Sequence, residues 1–174
     1  MSSAALHRRR VSVPLALAVV AIVFTGAIFG FFYAWICSTM WGLDAVDPAV
    51  AITAMNAMNA SVRNGVFAPV FFGTVVVLAA ASVAAARSRH RRAAILLGAA
   101  TVIYVGGAVL LTQLVNVPMN EALAAIAIPA SREEAAEIWS AYSGRWQLFN
   151  VIRTVASGTS LLLSCLALVR VLSR

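Results

Sequence analysis

Apolar positions along the chain fall into four long runs, roughly residues 13–37, 66–86, 93–115 and 149–169, and nearly all the charge lies between them. At ~1.5 Å of rise per residue, about 20 residues cross a hydrocarbon core of about 30 Å, so each run can span a bilayer as a helix. The pattern predicts an all-α fold, a four-helix transmembrane bundle with short amphipathic helices in both extracytoplasmic loops. In the first of those loops Asp47 precedes Pro48, an N-cap followed by a first-turn proline, so a helix should run over 49–62 along the membrane face. In the second, Ser131-Arg132-Glu133-Glu134 has the spacing of a capping box and predicts another short helix. Pro118 should break the third long helix, because its ring clashes with the preceding turn and it brings no N–H. Gly26 and Gly30 in the first run have the G-x-x-x-G spacing that admits a close helix neighbour. Residues 1–12 read as a flexible cytoplasmic tail and 13–174 as one membrane domain.

Composition and charge sharpen this picture. The chain is 62% hydrophobic and 11% charged, far from the ~25% charge of a soluble domain. A basic lead-in, Arg8-Arg9-Arg10, invites a signal-peptide reading, but the apolar run behind it exceeds the about 7–15 residues of such a segment and no small-residue cleavage site follows. Arginines gather at the N-terminus, in the connection holding Arg87, Arg89, Arg91 and Arg92, and at Arg170 and Arg174, whereas all six acids lie in the other two connections. The positive-inside rule then places both termini in the cytoplasm, with the protein multi-pass in the plasma (inner) membrane. The net charge of +7 is topological and implies membrane lipid rather than nucleic acid as a partner. Cys37 and Cys165 fall at opposite membrane faces, so no bridge is expected, and no histidine or cysteine cluster has metal-ligand spacing. Methionines 40, 55, 58 and 119 could suggest copper(I), but they fit packing better; neither metal nor other cofactor is expected.

The candidate chemistry lies at polar positions inside the apolar runs. At about 100° per residue, Trp146, Asn150, Arg153, Ser157, Ser160 and Ser164 fall within roughly 40° of one line on the fourth helix. Such a stripe must face the bundle interior or a wet cavity. The serines fit ordinary helix contacts, while Arg153 either serves a polar pocket or makes a buried tie to carbonyls or to an outer carboxylate such as Glu121 or Glu137. Gln113, Asn116 and Asn120 share a face if the third helix continues that far, and converge with Asn150 and Arg153 at one membrane depth. The aromatic cluster Phe29, Phe31, Phe32, Tyr33 and Trp35 suits either a lipid-interface belt or a pocket wall, with Trp41 as an interface anchor.

Three motifs carry a resemblance: Met55-Asn56-Ala57-Met58-Asn59, Asn116-x-Pro118-x-Asn120, and Trp146-x-x-x-Asn150-x-x-Arg153. In this order, over roughly residues 15–170, the chain resembles the anthrone oxygenase-like family of small four-span membrane proteins. It departs from the family at Asn56, where a glutamine would be expected. The resemblance implies O2-dependent oxidation of an activated methylene flanked by aryl rings, through an electron-rich anion that needs neither metal nor flavin. On that reading Arg153, Asn150 and Asn116 are the catalytic candidates, meeting the developing oxyanion. Trp146, Asn120, Asn59, Met55, Phe32 and Tyr33 are candidates for binding an aromatic small molecule, and Glu121 is the nearest base. A different class also stays open: a non-enzymatic membrane protein, either a small-molecule binder or a subunit of a homo-oligomer or larger membrane complex. A transporter fits less well, for want of inverted repeats and an intramembrane acid.

Overall fold

The computed structural model describes residues 12–173; the expected flexible tail lies outside them but for Ser12. Four helices are long and apolar enough to cross a membrane, making this a multi-pass membrane protein: α1 (Val13–Asp44), α3 (Phe67–Arg87), α4 (Arg91–Ala124) and α5 (Arg132–Leu172). A fifth helix, α2 (Pro48–Ser61), lies between the first two, and no strand occurs among the described residues. Each spanning helix packs on two others, α1 on α3 and α5, and α4 on α3 and α5, which closes a four-helix bundle. The short connections make sequential helices antiparallel neighbours.

Two apolar cores are stacked along the bundle. The lower one, built on Ile28, Phe32, Phe71, Leu78, Leu97 and Tyr104, joins the four spanning helices. The upper one joins α2 to the protruding ends of α1, α4 and α5 through Met40, Ile52, Met55, Leu123, Trp139 and Trp146. Met40 and Met55 are fully buried there, and Met58 and Met119 pack against them. We call this the cap end, and the end holding Arg87–Arg92 and Arg170 the basic end.

Local chemistry explains α2: the Asp47 carboxylate accepts the Ala49 amide at 3.0 Å, Pro48 opens the helix, and Ala51, Ile52 and Met55 turn inward. Three expectations are corrected. No separate helix forms in the second connection. Ser131 does cap the Glu134 amide, at 3.3 Å, but the helix it starts runs unbroken for 41 residues and becomes the fourth span. The capping box is not reciprocal either: the Ser131 hydroxyl donates to Glu133 at 3.0 Å, and the Glu134 carboxylate does not reach back to the Ser131 amide. Nor does Pro118 break α4. The two turns ahead of it, Val105–Leu110 and Thr112–Asn116, are wound as wider π-helix, and the chain passes through Pro118 to Ala124. A π turn takes the carbonyl one residue out of its usual place, relieving the clash that a proline imposes on a regular helix.

The glycine spacing in α1 also behaves differently from expectation. A Cβ on Gly30 would touch nothing within 4 Å, and one on Gly26 would only graze Leu161 at 3.9 Å. The closest approach is between α4 and α5, where a Cβ on Gly107 would overlap that of Ala156. Cys37 and Cys165 are both free thiols.

Candidate functional site

All six stripe residues of α5, from Trp146 to Ser164, are buried. The serines act as helix contacts: Ser157 and Ser164 donate back to carbonyls one turn earlier, and Ser160 also reaches the Ala100 carbonyl on α4 at 3.0 Å. The upper part of the stripe differs, because it opens on a cavity of about 530 Å³ at the junction of the two cores. Drug-sized ligand pockets run from about 300 to 1,000 Å³.

Arg153 forms one wall of this cavity and is 4% exposed. Its guanidinium donates to Asn150 Oδ1 at 2.9 Å and to Thr112 Oγ1 at 3.3 Å. Its Cζ lies 4.6 Å from the Phe32 ring centroid and 5.1 Å from that of Trp146, so two aromatic faces supply part of the stabilisation that water would give. Arg63 takes Glu121 at 3.2 Å and Arg132 takes Asp47 at 3.7 Å; among the described residues no carboxylate pairs with Arg153. The alternative of a tie to Glu121 or Glu137 is therefore not realised. Its Nε has no hydrogen-bond partner.

Asn116 lies on the facing wall, 1% exposed, with neither its amide oxygen nor its amide nitrogen hydrogen-bonded. The π turn ending at Asn116 sets this residue, with Thr112 and Gln113, on the cavity side of α4. Just above, Asn120 is fully engaged. Its Oδ1 accepts from Tyr142 at 2.7 Å and Trp146 at 2.9 Å, and its Nδ2 donates to Asn59 Oδ1 at 3.0 Å. That bond leaves Asn59 Nδ2 without a partner at the cavity wall. Phe31, Phe32, Trp35, Phe67 and Phe71 complete an aromatic lining.

Of the candidate residues, Arg153, Asn116, Trp146, Asn120, Asn59 and Phe32 line this cavity. Asn150 lies behind it, buried between Arg153 and the Phe32 carbonyl, to which it donates at 3.0 Å. Met55 is sealed in the upper core, and Tyr33 is half exposed on the outside of α1, stacked on Phe29. The aromatic cluster thus divides by helix face, Phe31, Phe32 and Trp35 inward and Tyr33 outward. Glu121 lines the cavity at its exposed rim, paired with Arg63.

Sequence reasoning missed Thr112, Tyr142 and Asp44. Asp44 accepts hydrogen bonds from Trp139 at 2.9 Å, Ser143 at 2.7 Å and Gln147 at 2.9 Å, clamping the end of α1 to α5 above the cavity. A signal existed: Trp139, Tyr142 and Ser143 continue the stripe of Trp146, Asn150 and Arg153 upward at helical spacing.

Fold and site define a class: a four-helix membrane protein with an aromatic cavity built around a buried arginine. A family profile described as anthrone oxygenase matches residues 66–163, more than half of the chain. The chain belongs to the anthrone oxygenase family. The match holds Asn116, Asn120, Trp146, Asn150 and Arg153, whereas Phe31, Phe32, Trp35 and Asn59 come from the segment before it. No curated protein and no solved structure matches the chain.

Proposed function

We propose that the cavity binds a flat, lipophilic aromatic ketone of the anthrone type and promotes its oxidation by O2 to the quinone. The observation that carries this reading is the pairing of Arg153, buried without a carboxylate, with Asn116, whose amide has no partner on either side. Both face an aromatic-walled space. Buried polar groups left without partners are costly, and a cavity that leaves them so is shaped for a ligand that completes them.

The chemistry balances with O2 alone. Loss of a proton from the methylene between the rings gives an enolate whose charge rests on the ketone oxygen. Arg153 and Asn116, both buried at the cavity wall, are the donors for that oxygen. The carbanion carbon adds O2 to give a peroxide anion, which takes back the proton removed in the first step; loss of water from the resulting hydroperoxide breaks the O–O and remaining C–H bonds and leaves the second carbonyl. Glu121, which lines the cavity at its rim, is the carboxylate to receive the first proton.

The basic end fits the cytoplasm by the positive-inside rule, which puts the cap end and the cavity rim on the opposite side of the plasma membrane. The test uses purified protein in nanodiscs with a hydroxyanthrone, following O2 uptake and quinone absorbance above the uncatalysed background. Arg153→Leu is expected to lower turnover by about 10²-fold or more. Turnover equal to that of the unaltered protein, or none in either, overturns the reading.

A further inference from the structure

The inner cavity has a thin side. On the flank of the bundle between α1 and α3 lies a second hollow of about 560 Å³. Ala27, Val66 and Val70 line this outer groove without touching the inner cavity. Phe31, Trp35, Met58, Val62, Asn64 and Phe67 line both spaces. The partition between them is therefore a single layer of side chains.

Its centre is the pair Phe31 and Phe67, ring centroids 4.8 Å apart and planes tilted by 46°, both half-buried. Dispersion alone closes this contact. Behind it the backbone is anchored: Asn64 Oδ1 accepts the Val66 and Phe67 amides at 2.8 and 2.9 Å, and Asn64 Nδ2 donates to the Ser61 carbonyl at 2.7 Å. Phe67 also stacks on Phe71 at 5.3 Å and Phe31 meets Phe32 and Trp35 edge-on, so parting the pair needs side-chain rotation against aromatic neighbours but no backbone hydrogen bond to break.

The other opening of the cavity is unsuited to an apolar solute. At the cap-end rim stand Arg63 and Glu121, paired at 3.2 Å and more than half exposed, so a tricycle arriving there would have to displace a hydrated ion pair. The outer groove, by contrast, lies on the apolar flank of two spanning helices, and Val66 beside it is 81% exposed.

We infer that the Phe31–Phe67 partition is a lateral gate, through which the lipophilic ligand passes between the bilayer and the cavity along the α1–α3 groove. The inference rests on the proposed occupant of the cavity, not on its oxidation. A gate alters rates of entry and exit alike and leaves affinity unchanged, which separates it from a binding residue.

The probe is a fluorescent dihydroxyanthraquinone, the product type of the proposed reaction, mixed in stopped flow with the full chain in lipid nanodiscs. Ala27→Phe and Val66→Phe fill the groove from its lipid side, at exposed positions that do not line the cavity. Each is expected to lower the association and dissociation rates together, by roughly tenfold, with Kd unchanged. Val102→Phe, on the exposed face of α4, is the control and should leave both rates alone. Unchanged rates in both groove variants, or a slowing produced instead by Glu121→Gln at the rim, overturn the gate. Absence of any probe binding to the unaltered protein overturns the gate and the occupant together. Slowed binding in a protein that oxidises nothing supports the gate and leaves only the oxidation refuted.

Discussion

The residues that matter most are those whose bonding is incomplete. Arg153 has aromatic faces, Asn150 and Thr112 around it but no opposite charge, and Asn116 makes no side-chain hydrogen bond. An unsatisfied buried polar group costs about 1–3 kcal/mol. Replacing Asn116 by leucine should therefore leave the fold as stable or raise its thermal midpoint, while weakening ligand binding by at least about tenfold through loss of a hydrogen bond worth about 1.5 kcal/mol. Thermal unfolding in detergent alongside probe titration checks this, and a lowered midpoint with unchanged binding would make Asn116 a structural residue. At this scale the sequence was informative where one helix decides. The inward line from Trp146 to Arg153 follows from helical arithmetic, and all of it is buried. It could not separate Asn150, which lies behind Arg153, from Asn116, which faces the cavity, because that depends on which carbonyl of α1 lies across the interface. Asp44 was invisible for a similar reason, its three donors lying 95 to 103 residues further along the chain.

Among the elements, α4 departs furthest from local rules. Run length alone marks it as a span, but the π turns over Val105–Leu110 and Thr112–Asn116 have no compositional signature that would have announced them. They let the helix pass Pro118, and they decide that Thr112, Gln113 and Asn116 face the cavity. The second connection was misread because Ser131 marks a helix start correctly while nothing local says where that helix ends. The first span's G-x-x-x-G misled in the other direction, since the tight crossing lies at Gly107 against Ala156. Gly107→Ala should push α4 from α5, destabilise the fold by about 1–3 kcal/mol and loosen the Thr112–Arg153 bond. Adding Ala156→Gly to that variant should recover most of the loss, as read from thermal midpoints of the two singles and the double; no recovery would refute a direct clash.

At the scale of the whole molecule, the fold has a membrane-embedded bundle and a cap, and one carboxylate ties three side chains together above the cavity. Asp44 joins the end of α1 to three side chains of α5, and the upper core fixes α2 beneath the same region. Asp44→Ala leaves the donors Trp139 and Ser143 without their acceptor. It should speed amide hydrogen exchange in residues 40–61 and in the first two turns of α5 while leaving the lower bundle protected. Uniform exchange across the chain would show that the cap and bundle open as one unit. The bundle as a class was legible from four apolar runs and the sign of the charge between them. The cap was only half legible, because its core is assembled from four helices spread along the chain.

The length of α5 has one more consequence. Its 41 residues extend about 60 Å, twice the hydrocarbon thickness of about 30 Å. The part from Arg153 down to Leu172 alone rises about 29 Å, enough to fill that thickness. With the basic-end terminus of α5 at one face of that thickness, Arg153 falls near the opposite face. Molecules with one polar edge and a flat greasy body collect at that depth, polar edge outward, in any bilayer. The membrane thus concentrates and aligns such molecules before the protein touches them, and on the proposed function a guanidinium near the same depth would sort a solute by how deep its oxygen floats as much as by its shape.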